Sequence, residues 1–282
     1  MAKLFQEMTN SRARCLLCPR YCEFGNNQTG ICNGRINVDG EIVPVNFGAV
    51  SAVAVEPIEK KPFKRYLPGT KTLSVGGFGC NLECKYCENE SISQVGAGIN
   101  SKHFTPQQLV DVAKEKHCES VCLTYNEPTI AFEYLIRIGE LCHEDGLKLI
   151  IKTNAYINQE PWEEVCKIVD GMNIDYKGFG HYFEDITECR YKDYSDKIWT
   201  AINNDVHVEL SIPVMPGYSN EDRRYFWPLE IGLAEVNENV PCHLLKINPA
   251  HLMIDSPTTS DEDIALAKED LLYLIAEEYI YV

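Results

Sequence analysis

The residues Leu73-Ser-Val-Gly-Gly-Phe-Gly-Cys80-Asn-Leu-Glu-Cys84-Lys-Tyr86-Cys87-Glu-Asn-Glu-Ser-Ile-Ser93 read as a short apolar strand, a glycine-rich turn and a loop with three cysteines at C-x3-C-x2-C spacing. Three thiolates on one loop suit three irons of a [4Fe-4S] cube and leave the fourth iron without a protein ligand. A small molecule bearing an amine and a carboxylate then has a position to chelate. Three buried thiols or a three-ligand zinc are the competing readings. Zinc more usually pairs cysteines two to four apart and adds a fourth protein ligand.

Outward from this stretch, apolar runs alternate with capped helices. The runs are Lys71–Val75, Ser120–Tyr125, Leu147–Lys152, Met172–Lys177, Val206–Val214 and His243–Asn248. Between them, Thr105-Pro-Gln-Gln108 reads as a capping box with proline in the first turn. Gly146 stands where a helix from near Pro128 should end, and Pro161 opens the next helix. Ser260 starts a last one that places Leu266, Leu271, Leu272 and Ile275 on one face. Strand and helix in this alternation imply parallel strands with right-handed crossovers. The expectation is an α/β fold, a partial (β/α)6 barrel over residues 71–282, preceded at 1–70 by a small cysteine-rich metal-binding module. Reacting groups in such barrels sit at the C-terminal ends of strands.

In the N-terminal part, Cys15, Cys18, Cys22 and Cys32 are spaced C-x2-C-x3-C-x9-C, with Pro19, Gly25 and Gly30 turning the backbone. Four thiolates satisfy either a tetrahedral zinc or a second [4Fe-4S] cluster, and spacing does not decide between them. Either would staple a segment poor in apolar residues. Glu41–Val55 reads as one or two short strands, and Pro57 to Gly69 as a linker whose Lys60, Lys61, Lys64 and Arg65 form a solvated loop.

Thirteen cysteines in 282 residues exceed what packing needs, and a reducing cytoplasm makes clustered ones metal ligands rather than disulfides. Cys118, Cys122, Cys142, Cys166, Cys189 and Cys242 lack partners at ligand spacing and read as core residues. A net charge of −16 argues against a protein that grips nucleic-acid phosphates. No apolar run reaches the length of a membrane span.

Cys80, Cys84, Tyr86 and Cys87 match the C-x3-C-x-aromatic-C signature of the radical S-adenosylmethionine (SAM) superfamily. The residues that follow resemble the activating-enzyme branch, relatives of the pyruvate formate-lyase activator. Tyr125-Asn126-Glu127-Pro128 departs from the Gly-Gly-Glu-Pro typical of radical SAM enzymes and resembles the variant in the radical SAM enzymes of the AmmeMemoRadiSam system. The resemblance implies a partial barrel, a [4Fe-4S] cluster on Cys80, Cys84 and Cys87, and bound SAM.

It also implies cofactor contacts: Gly79 in the turn, Asn126 and Glu127 at the second strand end, Asn154 at the third, Asp175 and Lys177 at the fourth, and His251 after the sixth. Glu127 would accept the SAM ammonium, or else serve as a helix-start carboxylate. Lys152 replaces an aspartate of the activators. Asn173, Asp175 and Lys177 share one face of a strand, turned either to the barrel interior or to a salt-bridged rim.

The chemistry implied is anaerobic. One electron enters SAM from the reduced cluster, and the resulting 5′-deoxyadenosyl radical takes a hydrogen atom from a substrate carbon. A one-electron donor such as flavodoxin or ferredoxin is then needed. The substrate is either a partner protein, as in glycyl-radical activation, or a small molecule. A protein that only transfers electrons is the reading of a different class.

Overall fold

The computed structural model describes residues 4–190, 195–218, 223–226, 229, 233 and 239–282. Six parallel strands form its centre: Lys71–Gly76, Ser120–Leu123, Lys148–Thr153, Gly171–Asp175, His207–Val214 and Cys242–Lys246, adjacent in that order. They match the six apolar runs to within two residues at most ends. Ser120–Leu123 is buried throughout, as a parallel strand covered on both faces must be. The strands align so that Ser74, Cys122 and Ile150 lie side by side, which brings the strand ends to one rim.

Two further strands join the same sheet. Ala52–Pro57 pairs antiparallel with the first barrel strand, and Ile280–Tyr281 pairs parallel with the sixth. The barrel therefore stays open between these edges.

The expected helix signals fold as written. Thr105 caps Pro106–Glu115 with the reciprocal Gln108 bond, and Ser260 caps Asp261–Leu271 with Asp263. Helix Phe132–Glu144 ends just before Gly146, which adopts φ +74°. The last helix differs from the expected face. It buries Ile264, Ala267 and Leu271, whereas Leu266 and Leu272 are exposed. Positions 264, 267 and 271 keep the three-to-four spacing of one stripe, and 266 and 272 fall off it.

In the Pro57–Gly69 segment Lys60, Lys64 and Arg65 are exposed as expected, but the segment is anchored to the barrel rather than a free linker. Ile58 and Phe63 are fully buried against Cys122 and Ile150, plugging the barrel at its N-terminal end. Lys64 and Arg65 donate their backbone N–H groups to buried Glu209 at 2.8–3.0 Å. Lys61 is buried and paired with Glu56 at 2.6 Å. An inward carboxylate in a barrel floor must find donors, and this segment supplies them.

The N-terminal residues form a three-stranded antiparallel sheet, Phe5–Glu7, Ala13–Cys15 and Glu23–Phe24, and a hairpin, Arg35–Val38 with Glu41–Pro44. Arg35 joins this part to the barrel through a bidentate pair with Glu133 at 3.0 and 2.7 Å. Among the described residues no helix is long and apolar enough to cross a membrane.

Candidate active site

The first barrel strand ends at Gly76, and its turn is held by the second strand end. Gly77 N–H donates to Asn126 Oδ1 and Asn126 Nδ2 donates to the Gly79 carbonyl, both at 2.9 Å. Gly79 has φ +82°, and a Cβ there would lie 2.1 Å from the Cys32 carbonyl oxygen. Only glycine meets both conditions. The cysteine loop beyond is tied down by Glu83 and Lys85, whose N–H groups donate to Thr187 and Ile186 at 3.0 and 2.9 Å.

Cys80, Cys84 and Cys87 then line one open pocket of about 850 Å3 together with Asn126, Glu127, Lys152, Asn154, Asp175 and Lys177. The three cysteines of the motif and five of the polar residues expected at strand ends thus converge. Asn154 Nδ2 donates toward Cys80 Sγ at 3.7 Å, and Ser93 Oγ lies 3.1 Å from Cys87 Sγ. Burial pushes the Cys84 thiol up to about 11 and drives Cys80 upward as well. Such thiols ionise readily only when a metal cation takes the charge.

Glu127 is buried at the second strand end and accepts four hydrogen bonds. Its Oε1 accepts from Thr129 N–H, Thr129 Oγ1 and Thr153 Oγ1 at 3.0, 2.7 and 2.8 Å, and its Oε2 from Asn154 N–H at 2.7 Å. Burial still raises its pKa above the ordinary carboxylate value.

Across the pocket, Asp175 bridges two cations. Its Oδ1 accepts from Lys152 Nζ at 2.5 Å and its Oδ2 from Lys177 Nζ at 3.2 Å. Burial would raise Asp175, but the two ammonium groups hold it below the usual range. Lys152 also donates to Asn173 and Ser211, at 2.9 and 3.0 Å. Lys177 donates to the Tyr86 hydroxyl at 3.1 Å, linking the fourth strand to the residue before Cys87. The face carrying Asp175 therefore points into the barrel rather than to a solvent rim.

Two expected contacts lie elsewhere. Gly79 sits behind the cysteine loop against Cys32, outside the pocket lining. His251 is exposed and also outside the lining, where Ile247 and Leu245 stand from the sixth strand. Leu252 N–H instead donates to the Lys85 carbonyl at 2.9 Å, so that segment covers the loop from outside. Lys152, Thr153 and Tyr86 hold the site in place and were not among the expected cofactor contacts. The signal available for Lys152 was a lone cation ending the apolar run Leu149-Ile-Ile.

Cys15, Cys18, Cys22 and Cys32 line a second, more enclosed chamber with Leu17, Phe24 and Arg35. The remaining six cysteines are all buried.

The sequence model of the Radical SAM superfamily matches residues 74–226, more than half of the chain. The chain belongs to the radical SAM superfamily. Its relatives include an uncharacterized protein of Methanocaldococcus jannaschii, 29% identical over 285 residues, covering 100% of this chain and 84% of that protein. The pyruvate formate-lyase-activating enzyme of Clostridium pasteurianum is 27% identical over 195 residues, covering 64% of this chain and 79% of that enzyme. Among solved structures, Streptococcus suis SuiB superposes with TM-score 0.54 at 13% identity, covering 74% of this chain and 46% of SuiB. That likeness concerns the fold.

This radical SAM protein is an enzyme, and its superfamily implies a [4Fe-4S] cluster and SAM. The donor set fits. Soft thiolates suit iron–sulfur clusters, and three of them face an open pocket whose other walls carry both charges.

Proposed function

We propose that Cys80, Cys84 and Cys87 hold the [4Fe-4S] cluster, that SAM occupies the pocket beside it, and that the enzyme abstracts a hydrogen atom from a residue of a partner protein or peptide. The observation that carries this reading is the convergence of those three thiols with Glu127, Asn154, Asp175 and Lys177 on one pocket. When bound, the cluster and SAM supply reductive cleavage of the sulfonium and the 5′-deoxyadenosyl radical.

The chain's own residues bind, orient and shield. Glu127 Oε2 takes one bond from Asn154 and keeps acceptor capacity toward the pocket, which suits the SAM ammonium. Lys152 and Lys177 share a single carboxylate, so the pair carries an excess positive charge that suits a carboxylate of the cofactor. Asn126 fixes the turn that starts the cysteine loop, and Asn154 Nδ2 steadies the Cys80 sulfur. Apolar Leu245 and Ile247 also line the pocket and help to keep water from a radical. The electron comes from a one-electron donor of the flavodoxin or ferredoxin class.

A protein or peptide substrate is supported by the activating-enzyme relative. Cys15, Cys18, Cys22 and Cys32 form a further metal site that staples residues 1–70 to the barrel at 71–282. No side chain need act as general acid or base.

The test is formation of 5′-deoxyadenosine from SAM by anaerobically reduced protein. Wild type is expected to form it and Cys84→Ala to form none; equal yields from both would remove the reading. Deuterium transfer into 5′-deoxyadenosine from an exchange-labelled partner protein, and not from a metabolite pool, is expected for the protein substrate.

A further inference from the structure

We infer that Cys15, Cys18, Cys22 and Cys32 hold a second iron–sulfur cluster, fully ligated by protein, whose loading braces the loop carrying Cys80. The inference builds on the reading above only in taking that loop as the site of the first cluster.

Pairing of Ala13–Cys15 with Glu23–Phe24 brings two of the four thiols to one end of a hairpin, where Cys15 N–H donates to the Cys22 carbonyl at 2.8 Å. Cys18 lies in the connection between them, and Cys32 arrives from the loop before Arg35. Together they line one mostly apolar chamber. Four soft thiolates around one apolar chamber have the donor chemistry of an iron–sulfur cube, the group to which the Cys80, Cys84 and Cys87 set also points.

Arg35 gives a second, independent pointer. It is 1% exposed, lines the chamber, and spends its terminal nitrogens on Glu133. Its Nε is buried without a partner. A buried N–H needs an acceptor, and a cluster sulfur beside it is one. The guanidinium also offsets the negative charge of four thiolates.

The brace is visible on both sides of Cys80. The Cys32 carbonyl packs on Gly79, and Arg20 Nε donates to the Asn81 carbonyl at 2.7 Å while its Nη2 pairs with Glu83 at 2.9 Å. Residues next to the N-terminal cysteines thus fix both sequence neighbours of Cys80. Four ligands leave no open iron, so this second site binds no substrate.

The test uses the full chain, reconstituted anaerobically with ferrous iron and sulfide, and a Cys80/Cys84/Cys87→Ala triple variant. The triple variant is expected to keep about four irons and four sulfides, with little zinc. Amide exchange across residues 78–83 is expected to quicken at least tenfold when a chelator strips it. About one zinc per chain, or no metal in a folded triple variant, overturns the cluster; unchanged exchange overturns the brace. Undiminished iron in the triple variant sinks the first-site reading and leaves the second cluster standing. Should the triple variant not fold, Mössbauer spectra of wild type with and without SAM decide: a SAM-induced change in about one iron in eight supports the inference, and a change in about one in four overturns it.

Discussion

Glu127 Oε2 accepts the backbone N–H of Asn154 at 2.7 Å, so the carboxylate at the end of the second barrel strand holds the end of the third. Thr153 Oγ1 and both donors of Thr129 fill Oε1. Glu127 therefore does two jobs, fixing the rim of the barrel and facing the pocket with what acceptor capacity remains.

Replacing Glu127 by alanine leaves the Asn154 and Thr129 N–H groups buried without acceptors. The expected cost is about 3 kcal/mol, read as a lowered thermal midpoint of the metal-free protein. Glu127→Gln should lose less stability, yet bind SAM at least tenfold more weakly in equilibrium dialysis. Unchanged SAM affinity in the Gln variant would take the ammonium-acceptor role away from Glu127.

Asp175 is the shared counter-ion of Lys152 and Lys177. Asp175→Asn leaves two partly buried ammonium groups facing each other and should cost about 2 kcal/mol. Because Lys177 also holds the Tyr86 hydroxyl, the loop before Cys87 should loosen. Iron content after reconstitution is expected to fall, while far-UV circular dichroism stays the same.

Gly79→Ala places a methyl group 2.1 Å from the Cys32 carbonyl at a backbone angle that alanine resists. A destabilisation of at least about 2 kcal/mol is expected. Both cysteine sets should lose metal together, because the clash lies between them. Gly69→Ala, where φ is +78° and nothing lies within 4 Å, controls for the angle alone.

Acid should unfold the protein partly through Glu209. Burial would raise this carboxyl, but bonds from His207, His243 and the Lys64 and Arg65 backbone hold it at about 2, against an ordinary 4.5. Between those values the unfolded chain binds more protons than the folded one, so stability falls as pH drops from 4.5 towards 2. Its full contribution, about 3 kcal/mol, is present above 4.5. In metal-free protein, Glu209→Gln should be less stable at pH 7 and show a shallower acid transition by tryptophan fluorescence.

The order of apolar runs and capped helices determined the parallel sheet by itself, because each signal is local. Thr105 with Gln108, Ser260 with its first turn, and Gly146 past a helix end all act within a few residues. The cysteine loop was legible for the same reason: its three cysteines lie within eight residues of chain. Strand-end logic then selected Glu127, Asn154, Asp175 and Lys177, since a parallel barrel gathers those ends at one rim.

Only the tertiary structure decided what lies between distant segments. Lys61, Ile58 and Phe63 carried no local sign that they plug the barrel floor, because the need for a plug arises from Cys122, Ile150 and Glu209 on other strands. His251 sits one residue before Leu252, whose N–H takes the Lys85 carbonyl, and the turn this imposes directs the histidine to solvent. The contact of Cys32 with Gly79 joins two motifs 47 residues apart in a chain that neither motif encodes locally. Periodicity and capping report on neighbours in sequence; packing across the barrel depends on shapes that exist only once the strands have met.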